Sequence, residues 1–135
     1  MRPQKVYRGI RGNDRYGIMV NDQPLHHVMI HSPTGFCWGY HGSGPADAAL
    51  SILADHFNEK PTREELYHGV CHCWALHQDF KSDVVAKFPM DQNWELTAAE
   101  IDDFLKRHAA QLADADEKIQ FWKAIQKDEQ QEASA

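Results

Sequence analysis

The alternation of apolar and polar residues changes period once along the chain, near Gly42. Before it, short runs alternate with a period of two. Lys5 to Arg11 reads as a first strand. Tyr16 to Asn21 reads as a second, with Tyr16, Ile18 and Val20 on one face. Asn13-Asp14 supplies turn chemistry between them, and Asn21-Asp22-Gln23-Pro24 supplies another turn. Leu25 to Ser32 reads as a third strand and Phe36 to His41 as a fourth. Pro33-Thr34-Gly35 closes that hairpin, with Pro33 presetting φ and Gly35 accepting a positive φ. The register then sets Ser32 opposite Phe36, Ile30 opposite Trp38 and Val28 opposite Tyr40. The aromatic residues gather on one face.

After Gly42-Ser43-Gly44 the period becomes helical. Pro45 suits a first helical turn, where its missing N–H costs nothing. Ala46, Ala49, Leu50, Leu53 and Phe57 form an apolar stripe, which leaves Asp47, Ser51 and Asp55 on the opposite side. Pro61 and Thr62 open a second helix that runs to Ala86, with room for a break, and Pro89 lies beyond it. Thr97-Ala98-Ala99-Glu100 is a capping box for a third helix, whose buried stripe is Ile101, Phe104, Leu105, His108 and Leu112. Ile119, Trp122 and Ile125 mark a fourth amphipathic helix. Strands first and helices after predict an α+β fold: a small antiparallel sheet of three or four strands with three or four helices packed on one face. Residues 1–128 read as one domain and 129–135 as a disordered tail.

Composition narrows the function classes. Net charge is −6, so a general grip on nucleic acid through phosphates is not expected. An acidic surface suits solubility or a basic partner. The three cysteines, Cys37, Cys71 and Cys73, are odd in number, and two share a Cys-x-Cys. That argues against a secreted disulfide scaffold. With no signal core and no apolar run of membrane-spanning length, a cytoplasmic protein without membrane partners is expected.

Three clusters could carry chemistry. The first is His68, Cys71, His72, Cys73 and His77. On a helix His68 and His72 are neighbours with Cys71 beside them, a partial zinc set. Cys73 and His77 fall on the apolar side, so one helix cannot gather all five. A complete site needs ligands from the sheet or from a second subunit. Otherwise His68 and His72 face solvent and Cys73 is a small buried hydrophobe. The second cluster is His27, His31, Cys37 and His41 on the sheet face away from the aromatics. Its two pairs are separated by roughly 13 Å along the strand and cannot share an ion. A Cys37–His31 pair is the one arrangement there resembling a thiolate nucleophile. The third is the elbow Gly42, Ser43 and Gly44, whose amides at a helix start could face an anion or nucleotide, although it matches no Walker or dinucleotide motif. Asp47, Asp55, Glu64 and Glu65 read as solvated helix faces. Trp38 and Tyr40 read as core, whereas Trp94 and Trp122, if exposed, suit an interface.

The run Gly35-Phe36-x-Trp38-Gly39-Tyr40-x-Gly42-Ser43-Gly44-Pro45-Ala46-Asp47-x-Ala49-Leu50 resembles the signature of a small domain-of-unknown-function family of bacteria and their phages and plasmids. Tyr7-Arg8-Gly9, His31-Ser32-Pro33-Thr34, Asp79-Phe80-Lys81 with Val84-Val85-Ala86 and Pro89, and Trp94-Glu95-Leu96-Thr97 extend the resemblance over roughly residues 5–106. Cys37, His41 and Ala48 depart from it, as does the His68–His77 stretch. The resemblance carries no activity. It implies an accessory gene of mobile elements, concerned with host–element conflict.

The expectation is a non-enzymatic protein that binds a host protein complex, such as a CRISPR effector, and occludes it. The alternatives are a small metal-dependent or nucleotide-binding enzyme, and a zinc-stabilised homodimeric regulator.

Overall fold

The computed structural model describes residues 4–12 and 16–134, with side chains described to residue 131. The fold is α+β. Strands β1 (Val6–Arg11), β2 (Tyr16–Val20), β3 (Gln23–Pro24) and β4 (Trp94–Thr97) form an antiparallel sheet in the order β3-β2-β1-β4. Helices α1 (Ser43–His56), α2 (Arg63–His68), α3 (His72–Asp83), α4 (Ala98–Arg107) and α5 (Ala109–Ser134) complete it, with a 3-10 turn at Val85–Lys87 after α3. The first two expected strands are present. The turn expected at Asn13-Asp14 lies outside the described residues.

The expected hairpin does not form. Leu25–Ser32 and Phe36–His41 are irregular, and neither belongs to the sheet. Only part of their apolar surface points inward: Leu25, Val28 and Trp38 are buried, whereas Met29, Ile30 and Tyr40 are exposed, so Ile30 and Tyr40 are not the core residues the hairpin register implied. The fourth strand comes instead from Trp94–Thr97, in antiparallel register with β1 from Val6↔Thr97 to Gly9↔Trp94. The strands therefore do not all precede the helices.

Helix α1 is the axis of the molecule. Every residue from Gly44 to Ala54 is buried. A helix buried all round needs cover on each side. Here α3 packs along it, and Tyr7 and Ile18 of the sheet share its core cluster. The irregular segment 25–41 contributes Leu25, Val28 and Trp38 to the same cluster.

Local chemistry sets the helix ends. Thr62 and Thr97 each close a complete capping box, with Glu65 and Glu100. The long helix expected from Pro61 breaks at Gly69, which takes φ +65° as the C-cap of α2. Helix α5 packs on α3 and buries Ala115 and Ile119, while Phe121 stands 69% exposed. It continues to Ser134, across most of the stretch read from the sequence as a tail.

Candidate functional site

The irregular segment after β3 is shaped by two side chains of α1, one turn apart. Ser51 Oγ accepts the Val28 N–H at 2.9 Å. The fully buried Asp47 carboxylate accepts the N–H groups of His31 at 2.8 Å and Ser32 at 2.9 Å, with Ile30 longer at 3.3 Å. His27 Nε2 donates to the same group at 2.7 Å. The solvated reading of Asp47 is therefore overturned, and Ser51 lies beside it on the same face. Both are buried, because the chain from residue 27 to residue 32 covers that face of α1 and its amides need acceptors. Asp55, on the same face, is three-quarters covered and binds the Tyr7 hydroxyl at 2.6 Å and Lys5 Nζ at 3.1 Å. Burial first, then the Asp55 contact, pushes the Tyr7 phenol well above its ordinary range.

A histidine pair fixes the far end of the segment. His77 is 2% exposed, and its Nδ1 donates to the Trp74 carbonyl at 2.6 Å. With that proton on Nδ1, a neutral ring must accept at Nε2, where His31 Nε2 stands at 3.1 Å. Burial holds His77 below its usual value, against the pull of the Trp74 carbonyl. The expected opposition of His31 and Cys37 is absent: His31 stacks on Trp74 and His77 instead.

Held this way, the segment forms one wall of a cleft of about 1100 Å³. The C-terminal half of α1 forms its floor, and Lys60 to Tyr67 with Trp74 form the facing wall. Its rim is unusually apolar for exposed positions. Met29 is 57% exposed, Ile30 44% and Tyr67 86%. Sequence patterning did not select these residues or the cleft's cations, Lys60 and Arg63. The available signal was Tyr67, a large aromatic near the end of a short, mostly polar helix.

The Cys/His cluster does not converge. Cys73 Sγ lies 3.7 Å from Cys71 Sγ, and both are buried. The Cys73 contact, opposed by burial and aided by the Trp74 amide, lowers the Cys71 thiol. Cys73 itself is raised by the Cys71 contact and by burial. His68 is exposed against Trp122, with ring centroids 4.4 Å apart. His72 bridges Glu59 at 2.9 Å and Asp116 at 2.6 Å. Among the described residues no three His, Cys, Asp or Glu side chains gather around one point, so His68, Cys71 and His72 are not brought together as ligands. At the elbow the two glycines leave room for close packing. A Cβ on Gly44 would stand 2.8 Å from Cys37 Cβ, and one on Gly42 2.4 Å from the Tyr40 ring. Trp94 is a core residue at 7% exposure and offers no ring to a partner, because β4 turns it inward. Trp122 is half-buried.

The His72 bridge predicts a pH dependence. Burial works against its protonation, but the bonds to Asp116 and Glu59 prevail and raise it above 6.5. A raised folded value gives stability that is full below the unfolded value and is lost as pH rises through the folded one. Asp116→Asn is expected to lower the melting temperature more at about pH 6 than at about pH 9. Equal losses at both would show that the bridge is not ionic.

A family model described as Family of unknown function (DUF6166) matches residues 7–107. The chain belongs to this family. The DUF6166 span runs from β1 through α4, so the Asp47 anchor, the cleft and all four strands except Val6 lie within it, and the whole of α5 lies beyond. Comparisons with curated proteins and with solved structures found no match. Among the described residues no helix is long and apolar enough to cross a membrane.

Proposed function

We propose that this DUF6166 domain is a non-enzymatic protein-binding module whose working surface is the cleft between residues 25–30 and α2. The observation that carries this is the rim of Met29, Ile30 and Tyr67. Exposed apolar side chains grouped around a cleft are the pattern of a surface made to be covered. The wall that bears Met29 and Ile30 is held by buried bonds to α1, so binding needs little ordering of that wall. The mobile-element setting implied by the sequence resemblance makes a host defence complex, such as a CRISPR effector, the partner to test first. Occlusion without turnover is the mechanism.

Affinity-tagged protein expressed in cells carrying such a complex is expected to retain it stoichiometrically. Met29→Asp with Tyr67→Asp is expected to release it, because two exposed substitutions remove apolar contact without touching the core. Protein that retains no partner, or a double variant that binds as well as the parent, would overturn the reading.

A further inference from the structure

The backbone along the cleft has one edge in use and one free. The Val28 and Ile30 amides are spent on Ser51 and Asp47 of α1. Beside them, the amides of His27 and Met29 have no partner among the described residues, and their carbonyls accept no hydrogen bond there. Within this irregular stretch two amides are thus tied to α1 and two are left unpaired. The segment also continues from β3, the edge strand of the sheet, and Leu25 N–H still donates to the Ile18 carbonyl at 2.9 Å. An unpaired edge of this kind is a template for another chain.

Charge selects which chain. The acids lining the cleft are engaged internally: Asp55 by Lys5 and Tyr7, and Glu59 by the His72 ring and the amides of His72 and Cys73. The cations are not. Lys60 and Arg63 line the same cleft, are exposed, and have no ion pair or hydrogen bond among the described residues. A protein of net charge −6 thus presents two directly unpaired cations at its apolar cleft.

We infer that the cleft takes an extended acidic peptide, which adds as a strand along His27–Met29. Its alternate side chains rest on Met29, Ile30 and Tyr67, and its carboxylates meet Lys60 and Arg63. Strand addition of this type draws affinity from main-chain hydrogen bonds and specificity from alternate side chains. The inference rests on the protein-binding reading and gives the partner's chemistry.

The probe is a blocked synthetic peptide of about eight residues that alternates Glu with Val and Ile, a length that fits one strand. Binding is read by fluorescence anisotropy and by amide exchange of the full chain. The peptide is expected to slow exchange at His27 and Met29. Its affinity is expected to fall about tenfold or more when Lys replaces Glu, when the pairing amides are N-methylated, or in Lys60→Glu/Arg63→Glu protein. Those two substitutions are on the surface, and an unchanged melting temperature confirms the fold. No binding, unchanged exchange at His27 and Met29, or indifference to N-methylation would overturn strand addition. If tagged protein still holds a cellular partner in that event, protein binding stands and only the peptide mode falls. If it holds none, both fall.

Discussion

Asp47→Ala is expected to cost about 3–5 kcal/mol of unfolding free energy, the range for removing one partner from a buried charged network. Asp47 is fully buried and its two oxygens serve three backbone amides and one imidazole. Alanine removes the acceptor and leaves those donors facing a small cavity without water to replace it. The loss would be a large fraction of the 5–15 kcal/mol by which domains are usually stable. Asp47→Asn keeps the shape and one acceptor oxygen, so an intermediate loss is expected. Denaturant unfolding measures both. Limited proteolysis adds a local readout, because segment 25–32 loses its anchor and should be cut first. An alanine variant within about 1 kcal/mol of the parent, with that segment still protected, would show that Asp47 does not hold it.

Gly9→Ala is expected to destabilise by about 2–3 kcal/mol through overpacking, and Gly9→Val by more. The Cβ would stand 2.2 Å from Cε2 and Nε1 of Trp94, directly across from Gly9 in the β1–β4 register. The indole has nowhere to go. It stacks on Phe88 at 4.2 Å and meets Trp38 edge-on at 5.4 Å. In a Trp94→Ala background the steric conflict disappears, so the added cost of Gly9→Ala should shrink to a few tenths of a kcal/mol. The double-mutant cycle isolates the coupling. Additive losses would mean that Gly9 is needed for its backbone and not for the space it leaves.

Local signals in the sequence were readable where the partner is near in the chain. The capping boxes at Thr62 and Thr97 satisfy amides three residues away, and both helices start there. The stripe of α1 and the alternation of β1 and β2 are of the same kind. The hairpin expected from Leu25 to His41 fails for a physical reason. Val28 and Trp38 are inward-facing, but Ile30 and Tyr40 are exposed, and the amides of Val28 and Ile30 bond to side chains of α1 and not to a second strand. Alternation does not report what the backbone pairs with. Asp47 was misassigned for the matching reason, since an acidic residue on a helix looks solvated until the chain that covers it is known. The β4 strand carried its signal, with Trp94 and Leu96 alternating inward, but the four residues lead straight into a capping box and read as a helix entrance. The cleft was not legible at all. It is made by the path of residues 25–30 over α1, a consequence of tertiary anchoring.

The sheet's order has a consequence for synthesis. Strand β1 pairs with β2 almost at once, but its other edge waits for β4: Arg8 and Glu95, which bridge the two strands, are 87 positions apart. At about 5–20 residues per second, a nascent chain holds that edge open for roughly 4–17 s on the ribosome. During this interval Tyr7, later sealed in the core, has no roof, and the edge is open to a neighbouring nascent chain while its own partner strand is still unmade. For this fold, an edge left open during synthesis is a point of exposure on crowded polysomes, and soluble yield should follow the rate of translation.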